Sequence, residues 1–100
     1  IFEDVKQKMR ERILNITKAN LVKGKSEGIY RDDIDENIVA KLNLMRIEGI
    51  IHGDLFEPEE RTSARLFTEI YKYHMYAIVN QRGREILEKH LVDLNQYSEI

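Results

Sequence analysis

Apolar side chains in the first quarter of the chain recur at spacings of three and four residues, with lysine and arginine residues between them. The stripe consists of Phe2, Val5, Met9, Ile13, Ile16 and Asn20. This spacing is that of an amphipathic helix. We therefore predict a first helix from Phe2 to Glu27. It ends before Gly28, since glycine tolerates the left-handed backbone that follows many helices.

A second helix is predicted from Glu36 to His52, and it carries more apolar residues than one stripe can hold. Asp35 is placed to cap its first turn, and Gly53 to end it. Ile34 and Val39 occupy the two positions of a hydrophobic staple. One face of this helix carries Leu42, Met45 and Gly49, and the other carries Leu44, Ile47 and Ile51. Two apolar faces indicate a helix covered on two sides.

The rest of the chain predicts a loop, a single helical turn at Pro58 and two further helices. Leu55 and Phe56 are expected to tuck beneath the bundle. Thr62 or Ser63 caps a helix from Ala64 to Val79, and Asn80 caps a last helix through Leu94. A frayed tail to Ile100 follows. With one proline and five glycines in 100 residues, this pattern predicts an all-α helical bundle in one domain, residues 1–100.

Composition narrows the class of protein. The net charge of −2 provides no overall basic field for nucleic acid, and the absence of cysteine excludes disulfides and thiolate metal sites. The lysines and arginines of the first helix are interpreted as a solvated face. No apolar run approaches the ~20 residues that span a bilayer, and no signal peptide is visible. We expect a cytoplasmic protein without a membrane partner.

Residues for catalysis are not found in any familiar arrangement. His52, His74 and His90 have no metal-site spacing, and neither a GxSxG elbow nor a phosphate-binding glycine loop occurs. The acidic residues before and after the second helix are explained by capping and solvation. His74 is expected to be a buried or interfacial histidine, with contact to a ligand as the alternative. We therefore expect no enzyme activity, no metal and no cofactor.

Five segments together resemble a known family. Residues 23–35 contain G-x-x-E-G-x-Y-R-x-D-I, and residues 37–42 resemble an I-I-A-x-L helix. Residues 55–59 are similar to an L-F-P-P-E loop, residues 73–78 to Y-H-x-x-G-I, and residues 82–83 to a K-G that opens a last helix. In this order they resemble the C-terminal domain of TetR/AcrR-type regulators, especially a branch common in Bacteroidetes. Glu57 and Ala77 depart from that pattern.

The resemblance implies a tetracycline-repressor-like C-terminal domain of a bacterial transcriptional regulator. Such a domain senses a small molecule and forms a homodimer. The resemblance to this family also implies that the regulator is a repressor. DNA would be contacted only through an N-terminal helix-turn-helix domain, which is missing from these 100 residues. An effector would act by shifting the population of dimer geometries. The alternative is a helical protein–protein interaction module with no ligand and no role on DNA.

Two sets of residues follow from these faces. A pocket for a small apolar effector is predicted between the first two helices, and the adaptable methionines favour it, although they can equally fill the core. Its predicted lining is Met9, Ile13, Ile16, Leu42 and Met45. The homodimer is expected to pair the second and third long helices in a four-helix contact. The residues predicted there are Leu44, Ile47, Ile51, Phe67, Ile70, Tyr71, His74 and Ile78.

Overall fold

A computed structural model describes the backbone of residues 2–98 and the side chains of residues 2–93. It is an all-α helical bundle, as predicted. Its helices are α1 (Phe2–Ser26), α2 (Glu36–His52), the single turn α3 (Pro58–Arg61), α4 (Ala64–Ile78) and α5 (Gln81–Ser98). The last helix is longer than predicted, and the end of the predicted frayed tail, residues 99–100, lies outside the described residues.

The helices begin where polar side chains satisfy free backbone amides. The Asp35 carboxylate accepts a hydrogen bond from the Ile38 amide at 3.1 Å, and Ser63, rather than Thr62, accepts one from Leu66 at 3.1 Å. The Asn80 side chain accepts one from Gly83 at 2.9 Å. Because an N-cap depends on residues close in sequence, all three helix starts were predictable.

Polar contacts show that α1 and α2 run antiparallel. Arg10 pairs with Glu48 at 2.8 Å, and Asn43 donates to the Thr17 hydroxyl at 3.3 Å. At the other end of the pair Lys25 lies 2.7 Å from Glu36. Helix α4 then runs back along the opposite side of α2, so that the start of α2 lies near the end of α4.

A junction that we call the latch, residues 28–31 together with residues 77–80, joins the end of α1 to the turn between α4 and α5. Tyr30 and Val79 form an isolated antiparallel bridge, and the Arg31 amide donates to the Ile78 carbonyl at 2.9 Å. The Asn80 amide group donates to the Gly28 carbonyl at 2.8 Å. Gly28 adopts φ 73°, the left-handed conformation expected after a helix.

The core is small and lies around the latch. It consists of Leu21, Tyr30, Ile34, Ile78, Val79 and Leu87. Val39 packs against it, so the predicted staple pair meets in this cluster. The molecule measures 44 × 35 × 20 Å with a radius of gyration of 15.4 Å, whereas a compact domain of this length has about 13 Å. The molecule is therefore flatter and more extended than a compact domain of the same length.

One local expectation was wrong in part. Leu55 does not tuck beneath the bundle, since it is 82% exposed; Phe56 is half-buried. Gly24, in the last turn of α1, is buried where the Tyr30 ring crosses the helix. The ring occupies the space of a side chain at Gly24, and glycine is needed there for packing.

Candidate functional site

Helix α2 lies between two open grooves. The α1–α2 groove, with a volume of about 450 Å³, is lined mainly by apolar side chains of its two helices. The α2–α4 groove, about 390 Å³, combines apolar side chains with polar and charged ones. Both volumes lie in the range of roughly 300–1,000 Å³ typical of small-molecule sites. Since α2 forms a wall of each groove, a molecule in either one contacts the same helix.

The α1–α2 groove is a shallow apolar channel. Met9 and Ile13 line it from α1, and Leu44, Ile47 and Ile51 line it from α2. Leu44 is buried, whereas Met9 and Ile51 are exposed. The groove thus exposes a large apolar surface, a feature that marks interaction sites.

The residues of the predicted effector pocket do not share one groove. Met9 and Ile13 lie in the α1–α2 groove, but Leu42 lies in the α2–α4 groove. Met45 is 65% exposed on another surface, beside Lys6 and Gln7 of α1, and Ile16 is 60% exposed on α1. The prediction placed Leu42 and Met45 towards the first helix. In the structure Leu42 faces α4, whereas Met45 lines a separate cavity of about 780 Å³ between α1 and α2. Leu44, Ile47 and Ile51 line the α1–α2 groove.

The residues of the predicted dimer contact are also divided. On α2, Ile47 and Ile51 lie in the α1–α2 groove. Leu44, at 5% exposure, is covered within its own chain, so it has little surface left for a second copy.

The α4 members of the predicted dimer contact occupy three environments. Ile78 is buried in the core around the latch. Tyr71 packs against that core, and its ring centroid lies 6.4 Å from that of His90. Phe67 is 72% exposed and Ile70 is half-buried. His74 lies in the α2–α4 groove. Among the α4 residues of the predicted contact, Phe67 and Ile70 are therefore the ones that still offer apolar surface.

The α2–α4 groove brings His74 together with polar residues that were not predicted to form a site. Asn43 and Arg46 line it from α2, and Tyr73 and His74 line it from α4. The Arg46 guanidinium donates to the Asn43 side chain, while its Nε is buried and, among the described residues, has no hydrogen-bond partner. Burial lowers the pKa of Arg46. A basic residue within the apolar run of α2 was the available signal for this site.

The imidazole of His74 is half-buried in the same groove. Burial first, and then the nearby Arg46 guanidinium, lower its pKa below the ordinary value. Both effects disfavour the protonated form. His74 is therefore neutral at pH 7 and can both donate and accept a hydrogen bond.

Acidification is expected to destabilise the fold through His74. The unfolded chain, with an ordinary histidine pKa of about 6.5, binds a proton more readily than the folded chain. The free energy of unfolding should therefore fall between about pH 7 and about pH 5, and His74→Gln should flatten this slope. Urea titrations at each pH, at constant protein concentration, measure it.

His52→Gln, at the exposed end of α2, is the control and should keep the slope. Asp33 and Glu36 also have lowered pKa values, through hydrogen bonds from Arg31 and Lys25 respectively. Their contribution is lost only as the pH falls below about 4.5, outside this window. An unchanged slope in His74→Gln would contradict the assignment.

Residues 2–98 contain no helix long and apolar enough to cross a membrane. In the described part of the chain, no group of three histidine or acidic side chains is placed to hold a metal ion. Comparison with protein-family models, with curated proteins and with solved structures gives no match for this chain.

Proposed function

We propose that this chain is the ligand-sensing and homodimerisation domain of a TetR-type transcriptional regulator, a cytoplasmic repressor by the habit of that family. DNA would be bound by a separate helix-turn-helix domain. The observation that carries the proposal is that several of the segments resembling this family, although far apart in the sequence, pack together at the latch.

The contacts at the latch join these segments residue by residue. Arg31, from the first segment, donates to the Ala77 carbonyl of the Y-H-x-x-G-I-like segment at 2.9 Å. Gly83, from the last segment, lies so close to the Ile29 carbonyl that a Cβ there would be 2.0 Å from its oxygen. The resembling residues thus have one common structural role, which is an argument against chance similarity.

Exposed apolar surface at one end of the α2–α4 pair supports homodimerisation. Ile38 and Val39, near the start of α2, line the same groove as residues 77–78 at the end of α4. The opposite ends of these helices, with Ile51 and Phe67, therefore also lie at one end of the pair. Ile51 and Phe67 are 54% and 72% exposed. Pairing this end with its copy gives a closed two-fold contact. Since Leu44 and Ile78 are already covered, the proposed contact is carried by Ile47, Ile51, Phe67 and Ile70.

The proposed regulation couples the grooves to this contact. Helix α2 lines both grooves and contributes Ile47 and Ile51 to the dimer surface. A ligand that binds one position of α2 more tightly than another shifts the population of dimer geometries. In a dimeric regulator with two DNA-binding domains, the dimer geometry sets the distance between these domains. That distance must match adjacent half-sites in the major groove.

The chain should sediment as a homodimer at tens of micromolar, and the double variant Ile51→Glu/Phe67→Glu should be monomeric. The reason is that burying unpaired carboxylates in an apolar contact costs several kcal/mol. Sedimentation velocity measures the change. Val22→Glu on α1 is the matched control, because Val22 is 55% exposed and lies far from this end; it should leave the dimer intact. A monomeric unmodified chain would contradict the proposal.

The α1–α2 groove favours a second candidate, a helical protein–protein interaction module with no ligand and no role on DNA. Phe2 at 91% exposure and Met9 at 60% form an apolar rim of the kind that accepts an amphipathic helix. This candidate predicts a monomer that binds a partner helix and no small molecule. The sedimentation experiment therefore separates the two.

A further inference from the structure

The α2–α4 groove contains a basic group without a counter-charge. Side chains of residues 2–93 form several ion pairs, none of which includes Arg46. Its Nε is also buried without a hydrogen-bond partner among those residues. Leaving a charged donor unsatisfied in a desolvated position is unfavourable. An anion bound in this groove would therefore supply both a counter-charge and a hydrogen-bond acceptor for Arg46.

The other charges in the groove do not supply it. Asp33 is engaged by Arg31, which donates to both carboxylate oxygens at 3.0 and 2.9 Å. Asp35 caps α2 through the Ile38 amide. Tyr73 and His74 also line the groove beside Arg46. His74 is neutral at pH 7 because burial and Arg46 lower its pKa. The neutral imidazole of His74 can add a second donor for an anion but no negative charge.

The apolar residues that line the groove indicate which kind of anion it would bind. Ile38, Val39, Leu42, Ala77 and Ile78 surround the polar centre. A strongly hydrated inorganic ion gains nothing from these side chains, whereas an organic acid buries its hydrocarbon against them. The guanidinium matches a carboxylate because its planar fork can donate two parallel hydrogen bonds.

We propose that the α2–α4 groove binds a small monocarboxylate with an apolar body, whose carboxylate is held by Arg46 with His74 as a second donor. The binding site does not depend on the proposed function. Only the role of this acid as the effector rests on it. The Nε of Arg46 is out of contact with solvent, so a carboxylate reaches this nitrogen only if α2 and α4 separate or the side chain swings outward.

Isothermal titration calorimetry with decanoate and 1-decanol tests the carboxylate directly on the unmodified chain. The two probes share an apolar body, and decanoate should bind about tenfold to hundredfold more tightly, as expected for a charge-assisted contact. Inorganic phosphate alone should bind much more weakly than decanoate. Equal affinities for decanoate and decanol, no binding of decanoate, or phosphate binding as tight as that of decanoate would overturn the proposal.

Variants locate the site. Arg46→Met, which keeps an apolar stem, should remove the preference for decanoate over decanol, whereas Arg46→Lys should retain part of it. Arg65→Met, an exposed arginine of α4 that does not line the groove, is the matched control and should bind like the unmodified chain. If Arg46→Met retained the preference, the site would be elsewhere and the proposal wrong. Circular dichroism checks that each variant is folded.

Sedimentation of the same samples separates this inference from the proposed function. Decanoate that binds with the predicted preference supports the site, and if the chain is then a monomer only the regulator proposal fails. A dimer that shows no preference for the carboxylate contradicts the site and leaves the regulator proposal standing. Chemical-shift changes at Leu42, Tyr73 and His74 with decanoate should confirm which groove is occupied.

Discussion

Gly24→Ala is expected to lower the free energy of unfolding by about 3 kcal/mol, at the upper end of overpacking effects. A Cβ at this position would lie 2.0 Å from Cδ2 of Tyr30. The ring cannot easily retreat, because Tyr30 is 6% exposed and its hydroxyl donates to the Asn20 side chain at 3.0 Å. The better helix propensity of alanine is too small to compensate. Urea denaturation followed by circular dichroism measures the loss.

Gly49→Ala is the matched control, since Gly49 is also inside a helix and a Cβ there would meet no neighbouring atom within 4 Å. Here alanine should stabilise the protein by about 0.5–1 kcal/mol through helix propensity alone. The two variants therefore change stability in opposite directions. If both were stabilised equally, the packing of Tyr30 across α1 would be disproved. Protein concentration is held constant, because dimerisation makes apparent stability concentration-dependent.

Asn80→Ala is the second change with a large expected effect, a loss of about 2–3 kcal/mol. The side chain accepts the Gly83 amide at 2.9 Å, and removing such an N-cap costs about 1 kcal/mol. It also donates to the carbonyls of Gly28 and Tyr30, at 2.8 and 3.3 Å. Carbonyls left without this donor in the folded state add a further cost. The effect is large because one side chain both caps α5 and closes the latch.

Two comparisons divide this effect into its parts. Ser63→Ala removes the cap of α4, where Ser63 accepts the Leu66 amide at 3.1 Å, and should cost only about 1 kcal/mol. Asn80→Asp keeps the capping oxygen but loses both donors, so its stability should lie between those of the unmodified chain and Asn80→Ala. A loss in Asn80→Ala no larger than that in Ser63→Ala would show that the latch contacts contribute nothing.

The helix boundaries could be predicted because their causes are local. Asp35 lies directly before α2, and Gly53 directly after it, and both act through backbone groups within four residues. The periodicity of α1 likewise needs no knowledge of the rest of the fold. The latch could not be predicted in this way. The Tyr30 ring packs across α1 at Gly24, and such a tertiary contact is not encoded in the local sequence pattern.

The orientation of α2 could not be determined because the helix is apolar on more than one side. When Leu42 and Leu44 are both apolar, the hydrophobic pattern does not decide which one faces α1. In the structure Leu44 faces α1 and Leu42 faces α4. Apolar residues dominate the sequence pattern of α2, so the position of Arg46 among the polar residues of the α2–α4 groove was not predicted. A basic residue inside an apolar run is the signal that would have revealed it.

The long first helix has a mechanical consequence. Leu21 and Gly24 are buried near its carboxyl end, whereas every described residue from Phe2 to Arg12 is exposed. The carboxyl end of α1 is therefore fixed by packing at the latch, and a tilt of the helix about that end is largest at its amino end. Phe2 lies about 28 Å from Leu21 along the axis, so a tilt of about 5° displaces Phe2 by about 2.5 Å. A tilt that hardly changes the packing around Leu21 therefore moves the amino end by slightly more than the Cα radius of the helix, which is about 2.3 Å.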